Sequence, residues 1–304
     1  MGRKWAMNNG GPQVTETMAD QVERKHCHSG IGLRLVLRYA RSYLVPSYTI
    51  GPPMFARTQL LAFLAIAAMA SFVHAEDSAP LKVLLITGGC CHDYDFQTNA
   101  LKKAAADRDV TIEWTVVNEG GKGTSAQIDL YKNAEWAKGY DVVVHNECFA
   151  KTTDEEYIRS ITKAHKDGAN AVVIHCAMHT YRDAKIDDWR QMLGVTSKHH
   201  EHKSNYVVTP EKPDHPAMKD FPKKWTTPND ELYVILKVWP NTEVLAVSVS
   251  EKTNEAQPVI WTNTYGKSRV FGTTYGHSNE TFEDKVFLDT VINGLVWASK
   301  GTGR

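Results

Sequence analysis

The segment Ala171–Arg182 closes a short apolar, β-branched run with His175, Cys176, His179, Tyr181 and Arg182. Two imidazoles, a thiol, a phenol and a guanidinium at one strand exit are costly to bury and well suited to chemistry. Other runs end in the same way. Gly88, Gly89 and His92 follow Val83–Thr87, His145 and Glu147 follow Val142, and Tyr275, Gly276 and His277 follow Arg269–Thr274. Asp230-Glu231-Leu232-Tyr233 leads two carboxylates and a phenol into a further run.

Three chemistries suit this set. In the first, His92, His175, His179, His277 and Glu231 ligate a divalent ion such as zinc, with His200 as a weaker candidate. Such an ion polarises a carbonyl or activates water. In the second, no metal is needed: His175, His179 or Glu231 abstracts a proton beside a carbonyl while Arg182 and another histidine stabilise the oxyanion. In the third, Cys176 is a nucleophile on the turn after a strand, with a histidine as base. The glycines of a nucleophile elbow are missing there, since Ile174 and Met178 stand nearby instead. The catalytic candidates are therefore His175, His179, Glu231 and Cys176. Tyr181, Arg182, Gly88, Gly89, His145 and Glu147 are candidates for holding substrate. Against each single histidine stands a structural reading, as a hydrogen-bonded packing group. His199-His200-Glu201-His202, between Lys198 and Lys203, reads as a solvated loop. Trp189, Trp225, Trp239 and Trp261 read equally as sugar-stacking platforms or as core.

The convergence of these groups depends on the elements that carry them. Strands are expected at Val83–Thr87, Thr111–Val117, Val142–His145 and Ala171–Ile174, with helices between them at Gln97–Asp107 and from Thr153-Asp-Glu-Glu156 to Gly168. Alternation of this kind predicts a mainly parallel sheet covered on both faces. Parallel strands bring their carboxyl ends to one edge, where open α/β sheets hold ligands. The remainder is strand-rich: Tyr206–Thr209, Leu232–Lys237, Glu243–Val249, Pro258–Thr262 and Arg269–Thr274, with Tyr265-Gly266 as a hairpin signal and a last helix over Asp284–Ala298.

Not all of the 304 residues belong to that unit. Met54–Ala75 has the parts of a secretory signal: Arg57, an apolar stretch from Leu60 to Val73, and Val73-His74-Ala75 as a cleavage site. The apolar run is shorter than the ~20 residues of a membrane span. An internal signal implies that translation starts at Met54 and that residues 1–53 are a disordered upstream extension from a mis-assigned start. The alternative is a genuine extension with a buried apolar helix. Residues 76–304 then form the domain, exported to the periplasm or secreted after cleavage near Ala75. Thirty-five basic and 35 acidic residues leave a formal charge of zero, and no basic run points to nucleic acid. No cysteine follows the apolar stretch, so neither a lipid anchor nor a membrane partner is expected for the mature form. Cys90, Cys91, Cys148 and Cys176 permit disulfides, although adjacent Cys90 and Cys91 could pair with each other only under strain.

One ordered series of motifs carries a resemblance. Gly88-Gly89 with His92-Asp93-Tyr94, then Val173-Ile174-His175, Trp189 with Leu193-Gly194, His215-Pro216 and Asp230-Glu231-Leu232-Tyr233 are followed by Pro258-Val259-Ile260-Trp261, Tyr265–Val270 and Gly276-His277. Over about Leu81–Ser299 this succession resembles the ThuA-like family, named for trehalose utilisation. The resemblance implies a flavodoxin-like, class I glutamine amidotransferase-like three-layer α/β sandwich. It also implies a small-molecule carbohydrate substrate, specifically a keto-sugar or 3-keto-glycoside made by a partner sugar dehydrogenase, and a hydrolase or lyase reaction. A non-catalytic sugar-binding module and a Cys176-dependent hydrolase or amidotransferase-like enzyme are the alternatives. The surroundings of Cys176 depart from the amidotransferase pattern.

Overall fold

A computed structural model describes residues 79–301. The expected extension (1–53) and signal segment (54–75) lie outside the described residues. The strands are β1 (Leu81–Gly89), β2 (Ile112–Asn118), β3 (Val142–Cys148), β4 (Ala171–Ile174), β5 (Val195–Ser204), β6 (Val207–Pro210), β7 (Trp225–Thr226), β8 (Asp230–Val238), β9 (Thr242–Val249), β10 (Ala256–Tyr265) and β11 (Ser268–Thr273). The helices are α1 (Tyr94–Asp107), α2 (Glu155–Asp167), α3 (Asp188–Leu193) and α4 (Lys285–Ser299).

Nine strands form one sheet in the order β2-β1-β3-β4-β11-β10-β9-β6-β7. The first five run parallel, and β10, β9, β6 and β7 continue the sheet antiparallel. The central strands are apolar runs because both of their faces are covered: β3 and β4 are buried throughout. On one face Val83, Leu85, Val142 and Val144 pack with Leu101 of α1 and with Phe287, Val291 and Leu295 of α4. On the other, Leu84, Ile86, Val143 and Val173 meet Ile158 and Ile161 of α2 and Trp189, Met192 and Leu193 of α3. The helix starts are set by aspartates. Asp93, Asp154 and Asp284 accept from the backbone N–H groups of Phe96, Tyr157 and Phe287. The cap of α2 is thus Asp154, one residue past the Thr153 of the sequence pattern, and Gly168, at φ 132°, ends that helix.

One expectation is corrected, and one open alternative is decided. His199–His202 is not a loop but part of β5, which pairs antiparallel with β8 as a separate two-stranded sheet. Charged residues hid this strand: it is a two-stranded ribbon whose outward side chains are solvated, while Glu201 turns inward to accept from Ser250 and from Glu251 N. Trp189, Trp225 and Trp261 are buried core residues rather than sugar platforms, and Trp239 lies under the Lys237 ammonium.

Candidate functional site

The parallel strands β1, β3, β4 and β11 end at one edge, and β5–β8 folds over it as a wall. Between them lies a cavity of ≈ 170 Å³ lined by groups that include His92, His175, His179, Arg182, His200, Glu231, Tyr233 and His277. A larger cleft of ≈ 590 Å³ between α1 and α4 has no histidine in its lining.

Each wall is delivered by a specific backbone device. Past β1, Gly88 (φ 132°) and Gly89 (φ 92°) adopt a conformation that favours glycine, and a Cβ would lie 2.0 Å from Glu119 O and 2.2 Å from Cys148 O. These glycines make the turn that presents His92; neither lines the cavity, although Gly89 borders a wider cleft that adjoins it. After β4 the chain turns sharply at His175, whose φ is 45°. A non-glycine residue held there carries strain of order 1–3 kcal/mol, characteristic of functional turns. The elbow is therefore real, but its tip is His175, not Cys176. Cys176 is bonded to Cys148, and Cys90 to Cys91. Pairing removes the Cys176 thiol as a nucleophile and, with it, the thiol-dependent alternatives.

After β11, Gly276 and His277 are held by the buried Asp230. Its carboxylate accepts from Gly276 N at 2.9 Å, His277 N at 3.3 Å and Thr281 Oγ1 at 2.6 Å. Burial pushes the Asp230 carboxyl above its ordinary value, and these donors act against that rise. Its neighbour Glu231 points into the cavity. Glu231 Oε2 lies 3.4 Å from His277 Nδ1, 3.5 Å from His200 Nδ1 and 3.7 Å from His175 Nε2. His175 Nδ1 is 2.7 Å from Thr274 O, and His175 Nε2 is 3.3 Å from His277 Nδ1. The His92 ring centre stands 5.0 Å from that of His175 and 5.1 Å from that of His277.

Crowding and burial fix the charges. Burial, then the neighbouring His277, brings His92 down to about 4, and burial brings His179 down to about 3. Burial and His92 hold His175 well below the usual histidine range. Burial alone would raise the Glu231 carboxyl, but the hydrogen bond and charge of His277, with His200 and His92, hold it below its ordinary value. At neutral pH the His92, His175 and His179 rings are therefore neutral while Glu231 is ionised.

The other predicted residues divide. His179 lines the cavity but is set apart from the trio: Nε2 bonds Ser197 Oγ at 3.0 Å, and the ring stacks on Tyr233 at 3.9 Å. Arg182 lines the cavity while NH1 donates to Lys198 O. Tyr181 does not reach it; it is core, edge-on to Trp189 and Tyr157. His145 and Glu147 are also misplaced by the sequence reading. They are fully buried on the α2 side, with His145 Nδ1 2.9 Å from Glu147 Oε1 and His145 Nε2 2.9 Å from His165 Nε2. Period-2 alternation along β3 turns both side chains away from the edge cavity. Sequence reasoning missed the Asp230 anchor, Thr274 and Ser197; Asp230 alone had a signal, as the acidic neighbour of Glu231.

A family model described as ThuA, trehalose utilisation, matches residues 82–298. A thua-like protein from Parabacteroides merdae has a similar structure, with TM-score 0.58 and 22% identity over 74% of this chain and 91% of that one. A thua-like protein from Bacteroides uniformis gives 0.55 and 17%, covering 73% of this chain and 92% of that chain. A cytoplasmic protein from Salmonella typhimurium gives 0.50 and 13%, over 72% and 99%. No curated protein matches the chain.

Proposed function

The chain belongs to the ThuA family, and on that basis we propose that it is an exported carbohydrate-processing enzyme that cleaves 3-keto-glycosides. The observation that carries this reading is the Glu231 carboxylate, kept ionised at the sheet edge where three histidine rings meet. A ketone acidifies the adjacent C–H, and a positioned carboxylate is the group that can take that proton. In the proposed step Glu231 removes the C2 proton beside the C3 ketone. The C–H electron pair becomes the C1=C2 double bond, the glycosidic C1–O bond breaks, and the departing oxygen takes up a proton. Water then adds across the double bond, returning the C2 proton and completing a net hydrolysis. Arg182 and an imidazole N–H at the rim stabilise the enolate oxygen.

The cavity, at ≈ 170 Å³, is below the ~300–1,000 Å³ of sites for drug-sized ligands and suits one sugar ring. A wider polar cleft shares Cys91 and His92 with it and leaves room for the second moiety of a glycoside. Export rests on the Met54–Ala75 pattern. A sugar dehydrogenase that oxidises C3 must supply the substrate.

The test offers the purified protein a 3-keto-glycoside beside its unoxidised parent. Release of the 3-keto-sugar from the oxidised compound alone supports the proposal. Binding of the keto-glycoside without turnover would instead support a sugar-binding module.

A further inference from the structure

We propose that His92, His175 and His277 form a binding site for one borderline divalent metal ion of the zinc class, with the Glu231 carboxylate beside the ion and free to act as base. The three imidazole ligand atoms lie within 4.8 Å of one another, and the Glu231 carboxylate stands beside two of those rings.

The hydrogen-bond partners behind the rings fix which nitrogens face the centre. The Thr274 carbonyl can only accept, so His175 Nδ1 carries the proton and Nε2 presents a lone pair inward. Tyr94 sends its hydroxyl proton to Cys90 O at 2.9 Å, so its oxygen, 3.3 Å from His92 Nδ1, accepts the His92 N–H. His92 Nε2 is then also a bare lone pair, and it is buried with no hydrogen-bond partner. A buried acceptor left without a partner is destabilising. Two lone pairs and a carboxylate therefore converge, and the donors within reach are the Tyr233 hydroxyl, 3.2 Å from His175 Nε2, and the His277 ring. A cation in place of the His277 Nδ1 proton would engage all three imidazole nitrogens and face the Glu231 charge.

Carbonyl and phenol partners behind the imidazoles and the Asp230 clamp on the His277 backbone are the outer support that metal-binding histidines use. His179 stands apart from the three converging rings, with Nε2 on Ser197 and its ring stacked on Tyr233, and is not counted as a ligand. The nearby cysteines are paired and offer no thiolate. Three imidazole nitrogens suit zinc, cobalt(II) or nickel(II) better than calcium or magnesium. With three protein ligands, a tetrahedral ion would keep its fourth position for the cavity. That this position takes the ketone oxygen of a sugar rests on the function proposed above; binding of the ion does not.

The experiment strips the purified full-length chain with a chelator and titrates it with Zn²⁺ by calorimetry, and with Co²⁺ by visible absorption. One equivalent should bind, and Co²⁺ should develop a ligand-field spectrum. His277→Gln and His92→Gln should each weaken binding by about 100-fold or more, with folding checked by circular dichroism. Should either variant fail to fold, the other carries the test. Fewer than ~0.2 equivalents bound, or full affinity in folded variants, overturns the site. Stoichiometric metal in a protein that cleaves no keto-glycoside upholds the site and refutes the substrate. Cleavage by a protein that takes up no metal does the reverse.

Discussion

Glu231 is the residue on which the chemistry turns, and its partners give it a testable signature. Its carboxyl is held below its ordinary value, so the base form is present at neutral pH and is lost only as pH falls through that depressed value. The acid limb of kcat/KM is expected below about pH 4.5, the ordinary glutamate range. Glu231→Gln should lower kcat by about 10²–10⁴-fold with the fold intact. Turnover retained in a folded Glu231→Gln variant would assign the base to a histidine instead. Much at this scale was legible in the sequence. His92, His175, His277 and Glu231 stand out as polar groups at apolar strand ends, and all four meet. What was not legible was side-chain direction: His145 and Glu147 are equally unusual in type, but alternation along β3 carries them into the opposite layer. Tyr181 has the same chemistry as Tyr233, yet only Tyr233 reaches the cavity.

At the scale of elements, the site depends on turns that hold the strand ends together. Cys148 at the end of β3 and Cys176 past β4 are joined across a separation of 28 residues. Closing a loop of that size stabilises the fold by roughly 3–4 kcal/mol in the chain-entropy account. Cys148→Ser with Cys176→Ser should therefore lower the denaturation midpoint measurably, while alkylation of the native protein leaves turnover unchanged. Loss of activity on alkylation of the oxidised protein would restore a thiol mechanism. The parallel strands were readable from their apolar runs because two covered faces require such runs. β5 was not, because Lys198, His199, His200, His202 and Lys203 serve a solvated two-stranded ribbon whose pairing with β8 is non-local.

For the molecule as a whole, buried histidines tie stability to pH. His165, bonded to Ala169 O and facing His145, is brought down to about 3 by burial and then by His145. His179 falls to about 3 by burial. In the unfolded chain both titrate near 6.5. Between those values the unfolded state binds more protons, so their contribution is full above about pH 6.5. It is lost as pH falls, by about 1.4 kcal/mol per pH unit for each group. Denaturant midpoints should drop clearly from pH 7.5 to pH 5, and equal midpoints would refute the buried neutral state. Domain class and layer order followed from the strand–helix alternation. The closing of the site by β5–β8 depends on contacts between residues far apart in sequence, which periodicity cannot report.

The most direct measurement follows the fate of a 3-keto-glycoside and its unoxidised parent in D₂O. The account predicts release of the 3-keto-sugar from the oxidised compound alone, with deuterium at C2 and loss of both signals in Glu231→Gln. Cleavage of the parent at a similar rate, or release without deuterium at C2, would contradict it.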